Sequence, residues 1–257
     1  MQKKTPCRYF IYLSYNGTRY HGWQIQPNAL TVQETLNNAM STMLQEEIET
    51  VGVGRTDTGV HASFFTAHFE SFKNKLDRDE KWVYKLNGIL PDDIAIDKIT
   101  RVSPDANARF DALSRTYKYY ISNKKDPFNR EFSYHLYGQL DVNKMNKVSL
   151  LLYDYADFTS FSKLHSDVKT NNCRVSLVKW EQTGNQIIFT IKADRFLRNM
   201  VRAIVGTLLE VGRGKLGINE FKKIIESKDR SQAAASAPAH GLFLTNIEYP
   251  NLDELKG

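Results

Sequence analysis

Ser103-Pro104-Asp105-Ala106-Asn107 is the stretch on which the fold turns. Pro104 fixes φ and lacks an N–H, and the Ser, Asp and Asn around it favour turns over helix or strand. Before this break, Arg8–Tyr15 is rich in aromatic and β-branched residues and reads as a strand. Asn16-Gly17 signals a turn. Thr31-Val32-Gln33-Glu34 has the form of a capping box, and Val32, Leu36, Ala39, Met40 and Met43 follow at helical spacing. Glu49–Val53 and Phe64–Phe69 read as short strands, Asp79–Gly88 as a helix stopped by Gly88 and Pro91, and Ile94–Val102 as a strand. After the break the pattern restarts: a strand at Thr116–Ser122, a helix at Asn143–Leu152, and strands Arg174–Thr183 and Gln186–Lys192 joined by Gly184-Asn185. A long apolar helix follows at Leu197–Val211, a minor one at Asn219–Ser227, and a closing strand at Leu242–Tyr249.

The order β, α, β, β, α, β therefore occurs twice. It predicts an α+β fold of two tandem split-βαβ (ferredoxin-like) units forming a continuous, mainly antiparallel sheet with helices packed on one side. The expected domains are residues 1–104 and 105–257. The repeat is one of element order, since the halves share no visible sequence identity. Gln232-Ala233-Ala234-Ala235-Ser236-Ala237 reads as a short helix or a linker.

A chain of 257 residues has room for one large domain or two ordinary ones. With 41% hydrophobic and 25% charged residues it is expected to fold and stay soluble. No apolar run approaches the ~18 residues of a membrane span, so no membrane partner is expected. Met1-Gln2-Lys3-Lys4-Thr5-Pro6 lacks the apolar core of a secretory signal behind it, because Arg8 and the polar Ser14–Asn16 interrupt. Cys7 and Cys173 form neither a metal spacing nor a disulfide framework, and a cytoplasmic location is expected. The net charge of +6 favours a polyanionic partner such as RNA, and equally describes a soluble protein with a slightly basic surface.

Three stretches could carry chemistry. In Gly52-Val53-Gly54-Arg55-Thr56-Asp57-Thr58-Gly59-Val60-His61-Ala62, Asp57 stands between flexible glycines, with Arg55 two residues before it. A dinucleotide fingerprint needs glycine where Asp57 stands, and a Walker loop needs a Gly-Lys-Ser/Thr that is absent. Asp57 and His61 lack a third ligand nearby, which argues against a metal. The loop alone equally admits a plain turn in which Asp57 accepts backbone N–H bonds. In Arg115-Thr116-Tyr117-Lys118-Tyr119-Tyr120, Arg115, Tyr117 and Tyr119 share one strand face. Cations and aromatics so interleaved suit stacking on RNA, while for any one of these tyrosines a core strand with buried rings and hydrogen-bonded hydroxyls is the favoured reading. In Arg195-Phe196-Leu197-Arg198-Asn199-Met200-Val201-Arg202, the arginines at 195, 198 and 202 are expected along one face at a helix start. Most such rows are simply solvated faces, and the mild penalty of cations opposing the helix dipole makes an anionic partner, carboxylate or phosphate, more plausible. His21, His68, His135, His165 and His240 show no triad spacing.

Together these stretches resemble the tRNA pseudouridine synthases of the A type. Gly54-Arg55-Thr56-Asp57-Thr58-Gly59-Val60-His61-Ala62 resembles the family's catalytic loop, with Thr58 in place of its usual alanine. Ser14–Gln24, Ala108-Arg109-Phe110, Arg115–Tyr119, Asp157-Phe158-Thr159-Ser160-Phe161, Met200–Gly206, Lys228-Asp229-Arg230 and Gly241–Leu244 resemble further family elements. Thr116 stands where a second arginine is common. The resemblance runs from near residue 8 to near residue 249.

The resemblance implies an isomerase that converts uridines 38–40 of the tRNA anticodon arm to pseudouridine. It implies tRNA rather than DNA as partner, a homodimer, and no cofactor, since the rearrangement needs neither redox chemistry, metal nor ATP. Asp57 matches the family nucleophile, which must be able to attack and then leave. Arg202 matches the arginine that pairs with it; a nearby cation favours an ionised carboxylate. Tyr117 matches the tyrosine packed on the target base, and Arg55 the residue that fills the space the flipped base vacates. A non-catalytic RNA-binding protein would use the same basic and aromatic faces. A glycoside hydrolase would want a second carboxylate, for which Asp111 and Asp157 have no supporting spacing.

Overall fold

The computed structural model describes residues 5–163 and 170–250; His165 and the first four residues of the N-terminal stretch lie outside the described residues. The α+β class expected from the sequence is the one observed: among the described residues there are nine strands, paired mainly antiparallel, and five α-helices. The chain divides into two compact units, one running to Leu113 and including the chain from Leu244 onward, the other Ser114–Phe243.

The first unit contains β1 (Cys7–Tyr15), α1 (Val32–Leu44), β2 (Val51–Gly52), β3 (His61–Ser71), α2 (Lys81–Ile89) and β4 (Ile94–Arg101). β1 lies between β4 and β3, and β2 pairs with β3, all antiparallel. The crossover through α1 thus leaves a gap between β1 and β2 that β3 fills, which is the split-βαβ arrangement. Thr31 caps α1 as expected, its hydroxyl accepting the Glu34 N–H. Tyr9, Phe10, Ile11, Tyr12 and Leu13 of β1 are all buried. A central strand covered on both faces reads as a continuous apolar run rather than an alternating one.

One face of β1 packs into a cluster of Phe10 and Tyr12 with Val102, Ala106 and Ala108, flanked by Phe64 and Tyr249. The segment carrying the Ser103–Asn107 break is therefore pinned to the sheet. Arg8 Nη1 donates to the Ala106 carbonyl (3.1 Å), the Ala108 N–H donates to His68 Nδ1 (3.1 Å), and the Tyr249 hydroxyl donates to the Ala108 carbonyl (2.6 Å).

The second unit contains β5 (Ser114–Ser122), β6 (Tyr134–His135), α3 (Val142–Ser149), β7 (Val175–Thr183), β8 (Gln186–Ala193), α4 (Met200–Gly212) and α5 (Ile218–Ser227). β8 lies between β5 and β7, again antiparallel, and β6 pairs in parallel with β5. Gly184 takes φ +58 in the two-residue turn joining β7 to β8. Asn146 ties α3 to β7, exchanging hydrogen bonds of 2.8 Å each with the Trp180 backbone. β9 (Leu242–Glu248) closes the chain.

Three expectations need correction. The helix placed at Leu197–Val211 starts at Met200, because Asn199 is held in the left-handed region at φ 66 and cannot continue a helix. The helix placed at Asn143–Leu152 gives way after Ser149 to a 3-10 turn over Leu150–Tyr153. The alanine-rich stretch is neither helix nor linker: a short 3-10 turn ends at Gln232, and residues 233–237 lie against α4.

Candidate active site

In the first unit the chain leaves β2 beside β3, with the Val53 N–H donating to the Thr66 carbonyl (2.9 Å). Gly52 lies flat against the Trp23 indole and Phe65, where a Cβ would collide with both rings. Trp23 in turn stacks on Phe65, their ring centroids 4.2 Å apart. The loop beyond is suspended from three earlier residues. The Trp23 N–H donates to the Thr56 carbonyl (3.4 Å), Tyr15 shares a hydroxyl–hydroxyl bond with Thr56 (2.9 Å), and the Gly59 N–H donates to the Tyr20 carbonyl (3.2 Å). Gly22, at φ +85, presses on Thr56 and Asp57 so closely that a Cβ would collide with the Thr56 carbonyl oxygen.

The Asp57 carbonyl accepts the Val60 N–H (3.1 Å), closing a turn whose third residue, Gly59, has φ +75. That is the position and sign a type II turn reserves for glycine. The turn leaves Asp57 half-buried and Arg55 exposed. His61, fully buried, uses Nδ1 to accept the Gly17 N–H (3.0 Å). Among the described residues no group of three or more His, Cys, Asp and Glu could hold a metal ion.

In the second unit Tyr117 lies on β5 opposite Ile191, half-buried, its ring edge-on to Phe196 at 5.1 Å. Its neighbours fit the core reading. The Tyr119 ring is fully buried and its hydroxyl donates to the Pro238 carbonyl (2.8 Å); burial pushes that hydroxyl's pKa far up. Tyr120 packs edge-on against Phe243.

The expected arginine row does not exist as a helix face. Arg195 and Arg198 precede α4, since Asn199 breaks the helical path, and only Arg202 of the three is helical. Arg202 is half-buried in the first turn of a helix whose neighbouring residues are buried. Its Nε donates to the Ala237 carbonyl (2.7 Å), while its own carbonyl accepts the Ala237 N–H (2.9 Å). Burial is the main cause that lowers the pKa of His240, and the Arg202 charge adds to it.

Arg55 and Asp57 thus share one loop of the first unit, and Tyr117 and Arg202 occupy a strand and a helix of the second. The two spare carboxylates are committed elsewhere. Asp111 accepts the Asn107 N–H (2.7 Å) within the pinned segment. Asp157 accepts both the Thr159 N–H and hydroxyl and pairs with Lys228 at 3.0 Å; these bonds, the Thr159 hydroxyl first, hold its carboxyl below the usual range. Sequence reasoning missed Gly22, Trp23 and Tyr15 as supports of the Asp57 loop, and Arg230 beside the alanine stretch. For Arg230 the available signal was its place in Lys228-Asp229-Arg230.

Among the described residues no helix is long and apolar enough to cross a membrane. Residues 155–250 match the family model described as tRNA pseudouridine synthase. A Bacteroides fragilis protein named tRNA pseudouridine synthase A is 58% identical over 95% of this chain and 96% of its own length. Proteins of the same name from Bacillus licheniformis and Bacillus subtilis are 41% and 37% identical, each over 93% of this chain and 98% of their own.

Proposed function

The chain belongs to the tRNA pseudouridine synthase A family, and from that premise we propose that it isomerises uridines 38–40 of the tRNA anticodon stem-loop, with Asp57 as nucleophile. The observation that carries this reading is the 58% identity sustained over 95% of the chain. The bond between C1′ and N1 breaks, the uracil turns, and C1′ joins C5. The C5 proton leaves and N1 takes one up, so nothing is oxidised or reduced. A carboxylate suits the task because it can both add and depart. The suspended loop, with its turn closed through the Asp57 carbonyl, fixes the backbone that presents it.

A uridine inside a stem must first leave the stack, at a cost of a few kcal/mol. Arg55, exposed on the same loop, fills the vacated space. Tyr117 packs on the flipped base, its ring braced edge-on by Phe196. Arg202 supplies the countercharge to the nucleophile. The enzyme acts in the cytoplasm as a homodimer.

The test is to incubate unmodified tRNA with wild type and Asp57→Ala and score pseudouridine. The expected result is product from the wild type and none above background from the variant. Equal yields would remove Asp57 from the mechanism.

A further inference from the structure

We propose that residues 233–237 form a strap that positions the Arg202 guanidinium, and that Arg230 is the positioning residue that holds the strap in place. The inference rests on the role given to Arg202 above.

The strap runs along α4 against the helix direction. The Ala234 N–H donates to the Thr207 hydroxyl oxygen (3.2 Å), which itself donates to the Ala203 carbonyl (2.8 Å). At Ala235 the two backbones approach so closely that a Cβ on Gly206 would collide with the Ala235 carbonyl oxygen. Ser236 Oγ accepts from Asn199 Nδ2 (2.6 Å) at the start of the helix. Ala237 then exchanges two bonds with Arg202, one of them to the side-chain Nε. An arginine side chain is otherwise rich in rotamers, and fixing Nε fixes the plane of the whole guanidinium.

The strap's conformation is set by Arg230. Its Nη1 donates to the carbonyls of Ala233 (3.3 Å) and Ala234 (3.2 Å), and its Nη2 to Ser236 Oγ (2.9 Å). Three acceptors in one short segment suit the planar fork of a guanidinium and exceed what a lysine reaches in one geometry. The residues on either side aim Arg230. Lys228, at φ 50, ends α5, and Asp229 caps the next turn by accepting the Ser231 N–H (2.8 Å) and hydroxyl (2.6 Å). Where the strap crosses the helix it is its backbone, the Ala235 carbonyl, that lies on Gly206, so the close approach needs glycine on the helix side.

A double-mutant cycle tests this. Arg202→Gln, Arg230→Gln and the double variant are assayed on unmodified tRNA for kcat and KM, with thermal unfolding measured alongside. Arg230→Gln is expected to lower kcat by about 10-fold or more while KM for tRNA stays within about 3-fold, since small misplacements of a reacting group cost rate. In the Arg202→Gln background the same change should cost nothing further, because the group it positions has gone. Multiplicative losses in the double variant would overturn the proposal and leave the role of Arg202 standing. Full activity in Arg202→Gln would overturn that role, and the proposal with it. If Arg230→Gln does not fold, Ser236→Ala replaces it in the cycle, removing the acceptor shared by Arg230 and Asn199, and Ser236→Thr is expected to restore the rate.

Discussion

Asp57 stands out in the sequence as a carboxylate between two glycines after a β-prone run, a pattern that suits a turn as well as a working site. Its position in the fold depends on residues that no local pattern marks. Gly22 is 35 residues away in sequence, yet its missing Cβ is what lets the Thr56-Asp57 backbone lie where it does. Spacing along a chain reports on a residue's own element and is silent on close approach between loops. Gly22→Ala therefore combines a left-handed φ with a collision, and is expected to destabilise the protein by about 1–3 kcal/mol. Turnover should fall further than the folded fraction does, because the strain is relieved by moving the Asp57 loop. Comparing pseudouridine formation with thermal unfolding separates the two effects. Wild-type turnover in a folded Gly22→Ala protein would show that Asp57 does not depend on this packing.

At the scale of elements, periodicity found α1, α2, α5 and the long strands to within a few residues, because each buries one repeating face. It placed the start of α4 too early, and so drew three arginines onto one helix face. Leu197 and Val201 keep the apolar spacing across a point where Asn199 breaks the backbone path. Hydrophobic period reports burial, which a turn can satisfy as well as a helix. The two-residue β6 was missed for the opposite reason, being too short to carry any period. The Asn199 conformation predicts an unusual ranking. Asn199→Gly keeps the left-handed backbone and loses the bond to Ser236; Asn199→Ala loses the bond and adds the left-handed penalty of roughly 1–2 kcal/mol. The alanine variant should therefore melt a few degrees below the glycine one, although alanine is the better helix former. The reverse order by calorimetry would show that the backbone at 199 relaxes.

For the molecule as a whole, the Ser103–Asn107 break was recognised as the restart of the pattern, while its own role was hidden. The segment behaves as a clamped layer over β1 and β3, and one of its clamps is a histidine. His68 Nδ1 accepts the Ala108 N–H, which requires an unprotonated nitrogen there. Burial, with the Arg8 charge as a lesser cause, lowers the His68 pKa below 6.5; burial likewise lowers that of His240 in the other unit. A histidine whose folded pKa is depressed binds its proton first in the unfolded chain. Below about 6.5 the unfolded state thus gains protons the folded state refuses, and stability falls as pH falls until the folded pKa is reached. The carboxylates held low, Asp157 and Glu210 among them, lose their contribution only at lower pH, on passing below the ordinary carboxylate range. Acid destabilisation should therefore begin about two pH units before carboxylates titrate. His68→Asn offers a side-chain oxygen as acceptor in place of the ring and removes the titration. Its unfolding free energy, followed by denaturant between pH 7 and 5, should decline less steeply than that of the wild type, and identical slopes would assign the early acid loss to other groups.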